Sequence, residues 1–299
     1  MNPHPLLLAL CLASVVSAAD VGTAPDVSDV GPEIDVSSWS FQRPVLFKEA
    51  GVIVVELEPA VLARTANDLH DVRVVRDGHQ LPYIAIKPGL EHEVDVAIAE
   101  VTDPQAPTWS KWDIKMPFAN FPANELLLDS PTPLFARTLT VSEQHETVQG
   151  HFERILSNAN WQRRPGQPAN TFHLSLYTAP RAGSIRLATD NGDNPRLQIT
   201  SARVVYPVVR LLFRVADTTP VSLCYGNRRA PYTRYDLQLA RPEFETAHKV
   251  AAVLGNEELL PGYSADLSGK DRLWLWAALA VVLGALLWIV AKRQPKKKE

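Results

Sequence analysis

Cysteine is almost missing from this 299-residue chain, which has only Cys11 and Cys224. Cys11 sits in the apolar opening run, so Cys224 is the one thiol of any exported part. Such a part has no internal disulfide, and its stability must come from core burial. Glycine loops that would cradle phosphate are missing, as is a Gly-x-Ser-x-Gly nucleophile elbow. Helices of the sort that would build a parallel α/β sheet are lacking between the strand-like stretches after Pro107 too, which favours an all-β fold. Charge is absent from Leu273 to Val290.

Those eighteen residues, mostly apolar, are long enough as a helix to cross a bilayer core of roughly 30 Å. The sequence therefore predicts a transmembrane helix over 273–291, a buried core helix being the alternative. Lys292, Arg293, Lys296, Lys297 and Lys298 follow it, whereas Asp271 and Arg272 cancel before it. By the positive-inside rule the tail over 292–299 is cytoplasmic and everything upstream lies outside. Trp274 and Trp276 at one end and Trp288 near the other suit the membrane interfaces. At the front, Leu6 to Val16 is a short apolar run ending in Ser17-Ala18-Ala19, which predicts a signal peptide over 1–19. Its first residues, Met1 to Pro5, carry no Lys or Arg, and retention of the run as a second anchor is the other reading. The expected location is the bacterial cytoplasmic (inner) membrane, single-pass, with a periplasmic ectodomain and the bilayer as one partner.

Up to residue 291 there are 25 Lys+Arg and 32 Asp+Glu, a net charge of about −7. That balance disfavours nucleic acid as a partner. Residues 20–38, with Pro25, Pro32 and several Asp, read as a flexible leader. From Trp39 the grammar is that of strands: Phe41 to Phe47, Val52 to Leu57, Val72 to Val75, Leu81 to Ile86 and Val94 to Val101. Asp77-Gly78 between two of them predicts a tight hairpin, and Pro59 to Asn67 one or two helical turns. This gives an N-terminal β-sandwich over 39–103. Pro104 and Pro107 mark a joint, with Trp109 and Trp112 expected to pack the two domains together. Short strands then recur every 8 to 15 residues or so, from Glu125–Asp129 through Phe135–Val141, His151–Leu156, Thr171–Tyr177, Ser184–Thr189, Leu197–Ile199, Ala202–Tyr206 and Val208–Val215 to Pro220–Tyr225. They predict a second, jelly-roll-like sandwich over 108–241. Pro242 to Leu260 is predicted helical from Glu243 and Glu245 in its first turn and from the spacing of Val250, Val253 and Leu254. It opens a helix-and-tether segment over 242–272. The fold class expected is mainly β, two sandwiches plus one C-terminal transmembrane helix.

Two stretches carry a resemblance. Asp68-Leu69-His70-Asp71-Val72-Arg73-Val74-Val75-Arg76-Asp77-Gly78-His79-Gln80-Leu81-Pro82-Tyr83 resembles the early strand pair of a bacterial envelope family known as domain-of-unknown-function family 3999. Cys224 to Leu237 is similar to that family's Tyr-Gly-Asn then Tyr-Asp-Leu pattern, here Tyr225, Gly226, Asn227, Tyr235, Asp236 and Leu237. An extra Tyr232-Thr233-Arg234 precedes Tyr235, and the chain is shorter than the family pattern. The resemblance implies an anchored ectodomain with a sandwich related to galactose-binding jelly rolls, and it transfers no catalytic residue.

No constellation amounts to a catalytic set. His145-Glu146 and His151 are metal-ligand types, but the histidines are six apart rather than four, so no metal site is expected. Asp190-Asn191-Gly192-Asp193-Asn194 clusters oxygen donors in a pattern that reads as a turn rather than a calcium loop. Cys224 ends a predicted strand without a nearby His and reads as a buried thiol. Glu56 with Glu58, and Glu91 with Glu93, are carboxylate pairs with no cleft context. For recognition the best stretch is Trp161, Arg163 and Arg164, an aromatic beside two guanidinium groups in an expected loop; the alternative places Trp161 in the sandwich edge. The sequence points to a non-enzymatic accessory or binding protein, without cofactor, serving a multi-span membrane protein or a cell-wall glycan. The alternatives are a membrane-tethered carbohydrate-active hydrolase and a structural subunit of a membrane complex, in which Ala280, Gly284 and Ala285 let another helix approach.

Overall fold

A computed structural model describes residues 30–147, 150–262 and 276–283. The chain begins with β1 (Phe41–Leu46), β2 (Gly51–Glu56), the short helix α1 (Pro59–Arg64), β3 (Arg73–Arg76), β4 (His79–Leu81) and β5 (Tyr83–Ile86). Next come β6 (Glu91–Val101), β7 (Trp109–Lys115), β8 (Glu125–Asp129), β9 (Phe135–Thr147), β10 (Gly150–Arg163), β11 (Phe172–Ser175), β12 (Ser184–Asp190) and β13 (Ser201–Pro207). The last elements are β14 (Arg210–Val215), β15 (Val221–Tyr225), helix α2 (Arg241–Thr246), β16 (Lys249–Leu254) and β17 (Glu258–Leu259). The protein is mainly β, as the alternation of β-branched residues requires. Asp77 and Gly78 take φ of 49° and 77°, the paired positive values of a tight β3–β4 turn.

The strands form two sheets. The first runs β4-β3-β15-β1-β16-β2-β14-β5, with β17 also on β1. Its end strands β4 and β5 are separated in sequence only by Pro82, so the sheet curls to bring its two ends side by side, without ladder pairing between them among the described residues. Ile53, Val55, Leu211, Phe213, Leu223 and Tyr225 fill the interior of this barrel. The second sheet runs β10-β9-β12-β7-β6-β13-β8-β11. β6 pairs with β13 through its first half and with β7 through its second, so it bends from one layer into the other. The layers β6-β13-β8-β11 and β7-β12-β9-β10 have the strand order of a jelly roll. Its outer edges close where the Tyr177 amide donates to the Leu156 carbonyl at 2.8 Å and Ser157 Oγ to the Ser175 carbonyl at 2.6 Å.

Strand membership does not follow the proline joint. The jelly roll is an insertion between β5 and β14, and β14 to β17 return to complete the barrel. Pro104 and Pro107 lie in the β6–β7 turn within the jelly roll. Trp112 is buried in the jelly-roll core and Trp109 is exposed on β7, so neither joins the units. The sequence missed this because the barrel is closed by strands whose partners, from Glu56↔Arg210 to Phe41↔Tyr225, lie 154 to 184 residues apart, and local pattern carries no partner information.

Pro242 to Leu260 is a helix only over α2. β16 fills the gap between β1 and β2, antiparallel to the first and parallel to the second. Val250 and Leu254 are buried while Val253 is exposed; an i, i+4 pair fits a strand as well as a helix, and the vacant ladder positions select the strand. Residues 31–34 are likewise not a free leader. The Gly31 amide donates to the Gln80 carbonyl at 2.7 Å, the Gln80 amide to Pro32 at 2.9 Å and the Ile34 amide to Gly78 at 2.8 Å, giving β4 an outer partner. Leu197 enters the jelly-roll core from a loop, not from the strand expected over Leu197–Ile199.

Residues 276–283 are helical and exposed. Among the described residues no helix is long and apolar enough to cross a membrane. The expected signal peptide, the tether over 263–270, Trp274, Trp288 and the basic tail lie outside the described residues.

Candidate functional site

The stretch chosen for recognition is structural. Trp161 and Arg163 lie on β10, not in a loop, and both are 5% exposed. The Trp161 indole stacks on Phe172 at 4.9 Å and meets Phe135 edge-on at 5.0 Å. Arg163 Nη1 donates to the Ser130 and Thr132 carbonyls, each at 2.7 Å. With its ring covered and its guanidinium committed, the pair has nothing to offer a ligand. Arg164 is exposed just beyond the strand. Cys224 is buried on β15, and burial pushes its thiol up to about 12, so it is no nucleophile. Glu58 forms a two-pronged ion pair with Arg43, and Glu56 accepts from both His92 and Arg210. Asn191 is a buried hub, its amide donating to the Thr108 carbonyl and Ser110 and its oxygen accepting from Arg137 and the Leu197 amide, which makes 190–194 a braced turn. His151 faces Glu146 in the β9–β10 register. Among the described residues no cluster of metal-ligand types is present.

What the tertiary structure builds instead is a cleft of about 710 Å³ between barrel and jelly roll. The barrel wall is α1, with Leu62, and the turn after it, with Asn67, Leu69 and His70, together with Arg228. The opposite wall is jelly-roll loop, with Asn120, Asn124, Tyr177 and Arg181. Lys87 and Val209, on the two crossings between the units, complete it.

Both walls are pinned by buried carboxylates. Asp71 is fully buried and accepts from the Ala66 amide at 2.9 Å and the Gly226 amide at 3.3 Å, while its own carbonyl accepts from Trp39 Nε1 at 2.7 Å. It therefore ties the α1 turn to the loop that carries Arg228. Across the cleft, buried Glu143 accepts from the Arg181 and Ala182 amides at 2.7 and 2.9 Å and from Arg154 Nε at 2.6 Å. Arg154 Nη2 also reaches the Ala179 carbonyl at 3.1 Å. Neither carboxylate stood out in the sequence, because each is one charge among many on an ordinary strand or turn.

The two family-like stretches meet beside this cleft. Besides the Asp71–Gly226 bond, Arg73 donates to the Pro231 carbonyl at 2.7 Å, and Tyr83 packs edge-on against Tyr235 at 5.4 Å. Asn227 Nδ2 donates to Ser38 at 3.0 Å, Leu237 is buried, and Asp236 opens a 3-10 turn over Asp236–Ala240. His70, in the first stretch, reaches the second. Its Nδ1 is 2.6 Å from Asp68, its Nε2 is 3.3 Å from the Arg228 carbonyl, and its ring packs on Tyr232 at 4.7 Å.

The Asp68 hydrogen bond raises the His70 pKa above its usual 6.5, aided by the Arg228 carbonyl and the Asp71 charge, and the same contact lowers Asp68 to about 2. A raised histidine pKa contributes stability that is complete below the unfolded value and lost as pH rises through the folded one. Asp68 contributes above its unfolded value and loses this as pH falls toward 2. The melting temperature of the protein is thus expected to fall as pH rises above the usual histidine value of 6.5 and through the raised folded one, and to fall less in His70→Asn. Parallel curves for the two proteins would remove the role assigned to His70.

No family model matches the chain, and no curated protein matches it. Among solved structures it is similar to the N-terminal modules of the endo-1,4-beta-D-xylanase 10B of Clostridium thermocellum complexed with xylohexaose, at 9% identity and TM-score 0.20. That match covers 62% of this chain, and the chain spans 28% of the xylanase one. It is also similar to the VP2 protein of infectious bursal disease virus in T=1 particles, at 12% identity and TM-score 0.21, over 70% of this chain and 71% of that one. A second structure of such particles matches at 12% identity and TM-score 0.22, over 69% and 70%.

Proposed function

We propose that this protein is a membrane-anchored extracytoplasmic binding protein of the bacterial envelope, with its ligand seated between barrel and jelly roll. The observation that carries the reading is the cleft itself, because concave sites between packed units are where ligands of moderate size are held, and both walls here are braced from within. Kinship with domain-of-unknown-function family 3999 belongs to the same proposal, and so does a jelly roll of the galactose-binding kind. Leu69, His70 and Arg228, which come from the two family-like stretches, line the cleft. The anchor is the apolar run over 273–291 with its basic tail. At the barrel end, Ser40 Oγ donates to the Gly262 carbonyl at 3.4 Å, so the chain leaves for that run from beside the barrel's first strand.

The test is a topology measurement on the full chain in bacterial cells. Expected are recovery in the membrane pellet after an alkaline wash, digestion of residues before 262 by protease added to spheroplasts, and protection of a tag placed after Glu299. Recovery of the intact chain in the soluble fraction, or a protease-accessible C-terminal tag, would sink the proposal.

A further inference from the structure

Every charged side chain lining the cleft is, or can become, a cation. Lys87, Arg181 and Arg228 are exposed there, and His70 is held toward its protonated form by geometry already described; no carboxylate lines the cleft among the described residues. This runs against the composition, which is acidic before the tail. It also contrasts with several arginines elsewhere on the surface that are paired: Arg186 with Asp113, Arg196 with Glu100, Arg203 with Glu93 and Arg210 with Glu56. The side chains of Lys87, Arg181 and Arg228 make no ion pair or hydrogen bond among the described residues.

Position matters as much as charge. The Arg181 backbone is fixed by Glu143, and the Arg228 carbonyl by His70. Cations whose backbones are already ordered, on facing walls of a low-acid cleft, favour an anion that spans both walls, because little ordering is left for binding to oppose. Around them stand the side-chain amides of Asn67 and Asn120, without partners among the described residues, and the ring of Tyr177, which is 69% exposed. Amides meet hydroxyl groups, an aromatic face meets the C–H face of a sugar ring, and guanidinium and ammonium groups meet carboxylates. A volume of about 710 Å³ admits several sugar units.

We infer that the cleft binds an acidic oligosaccharide, a glycan bearing carboxylates on more than one sugar unit. The inference rests on the cleft being the binding seat. The test is calorimetric titration of the full-length protein with a galacturonic acid tetramer and with the uncharged galactose tetramer, each repeated in excess inorganic phosphate. Expected are binding of the acidic tetramer, at least tenfold weaker binding of the neutral one, and weakening by added salt. Arg181→Gln and Arg228→Gln should each lower affinity roughly tenfold to a hundredfold, and Lys87→Gln somewhat less. Arg164→Gln, a change of the same kind outside the cleft, should leave affinity unaltered. Unchanged melting temperatures show that the variants remain folded, since none of these side chains has a partner to lose.

Equal affinity for both tetramers removes the acidic ligand while leaving a glycan seat in place. Full competition by phosphate alone removes the saccharide and leaves a simple anion site. No binding of either tetramer overturns the inference altogether. Membrane topology, measured without any ligand, decides the anchoring separately.

Discussion

Glu143→Ala is expected to cost about 3–5 kcal/mol of folding stability, lowering the melting temperature on the order of 10 °C. The carboxylate has a fully buried side chain, and each of its oxygens is engaged: one by Arg154, the other by the Arg181 and Ala182 amides. Deleting it leaves a partly buried guanidinium without its counter-charge and two backbone donors without an acceptor, and the penalty for stranded partners exceeds what the pair gains when intact. The loss should also reach the cleft, because the loop of Tyr177 to Arg181 is held by this carboxylate. Glu143→Gln, which keeps an acceptor oxygen but not the charge, should lose less. Thermal melts of the three proteins by near-ultraviolet circular dichroism check the ranking. An alanine variant as stable as the parent would show that the buried network is not what holds the loop.

Gly226→Ala is the second large effect, at about 2–5 kcal/mol. Gly226 has φ of 88°, outside the range an L-residue adopts comfortably, and an added Cβ would lie 2.8 Å from Phe41 Cδ2 and 3.1 Å from Ser40 Cβ. The Phe41 ring has little room to yield, since it stacks on Tyr225 at 5.4 Å and carries the Arg64 guanidinium 4.6 Å above it. Moving Gly226 instead pulls its amide from Asp71 and loosens the Arg228 loop. Gly192→Ala is the internal control: its φ is 56°, but nothing lies within 4 Å of the new methyl, so only backbone strain of about 1–2 kcal/mol applies. Equal urea midpoints for the two alanine variants would mean that the approach to Phe41 is not the reason for glycine at 226.

Much of the strand inventory was legible. Glu125–Asp129 has the predicted bounds, most others agree within a few residues, and the Asp77-Gly78 hairpin forms as its turn chemistry demands. Period-2 burial along β12 shows why such segments announce themselves, one face meeting the core and the other water, whereas β7 alternates in the same way and was missed behind the proline joint. β16 was misread because its apolar spacing suits two periods and only a vacancy between β1 and β2 decides between them. Trp161 and Arg163 were misread for a related reason: an aromatic and a cation look alike in sequence whether they face a ligand or fill an edge. Asp71 and Glu143, which brace the cleft, left no local signal, since a carboxylate's burial depends on donors brought from elsewhere in the chain.

By itself the sequence determined that the chain is mainly β, that Cys11 and Cys224 are its two cysteines, and that an apolar run with a basic tail stands near its C-terminus. Those properties depend on composition and short-range period, which need no knowledge of partners. The tertiary structure alone decided that the jelly roll is inserted into the barrel, that residues 68–71 meet residues 226–232, and that a cationic cleft opens between the two units. Each of those joins residues far apart in the chain, and it is the closing of two sheets on themselves that brings them together.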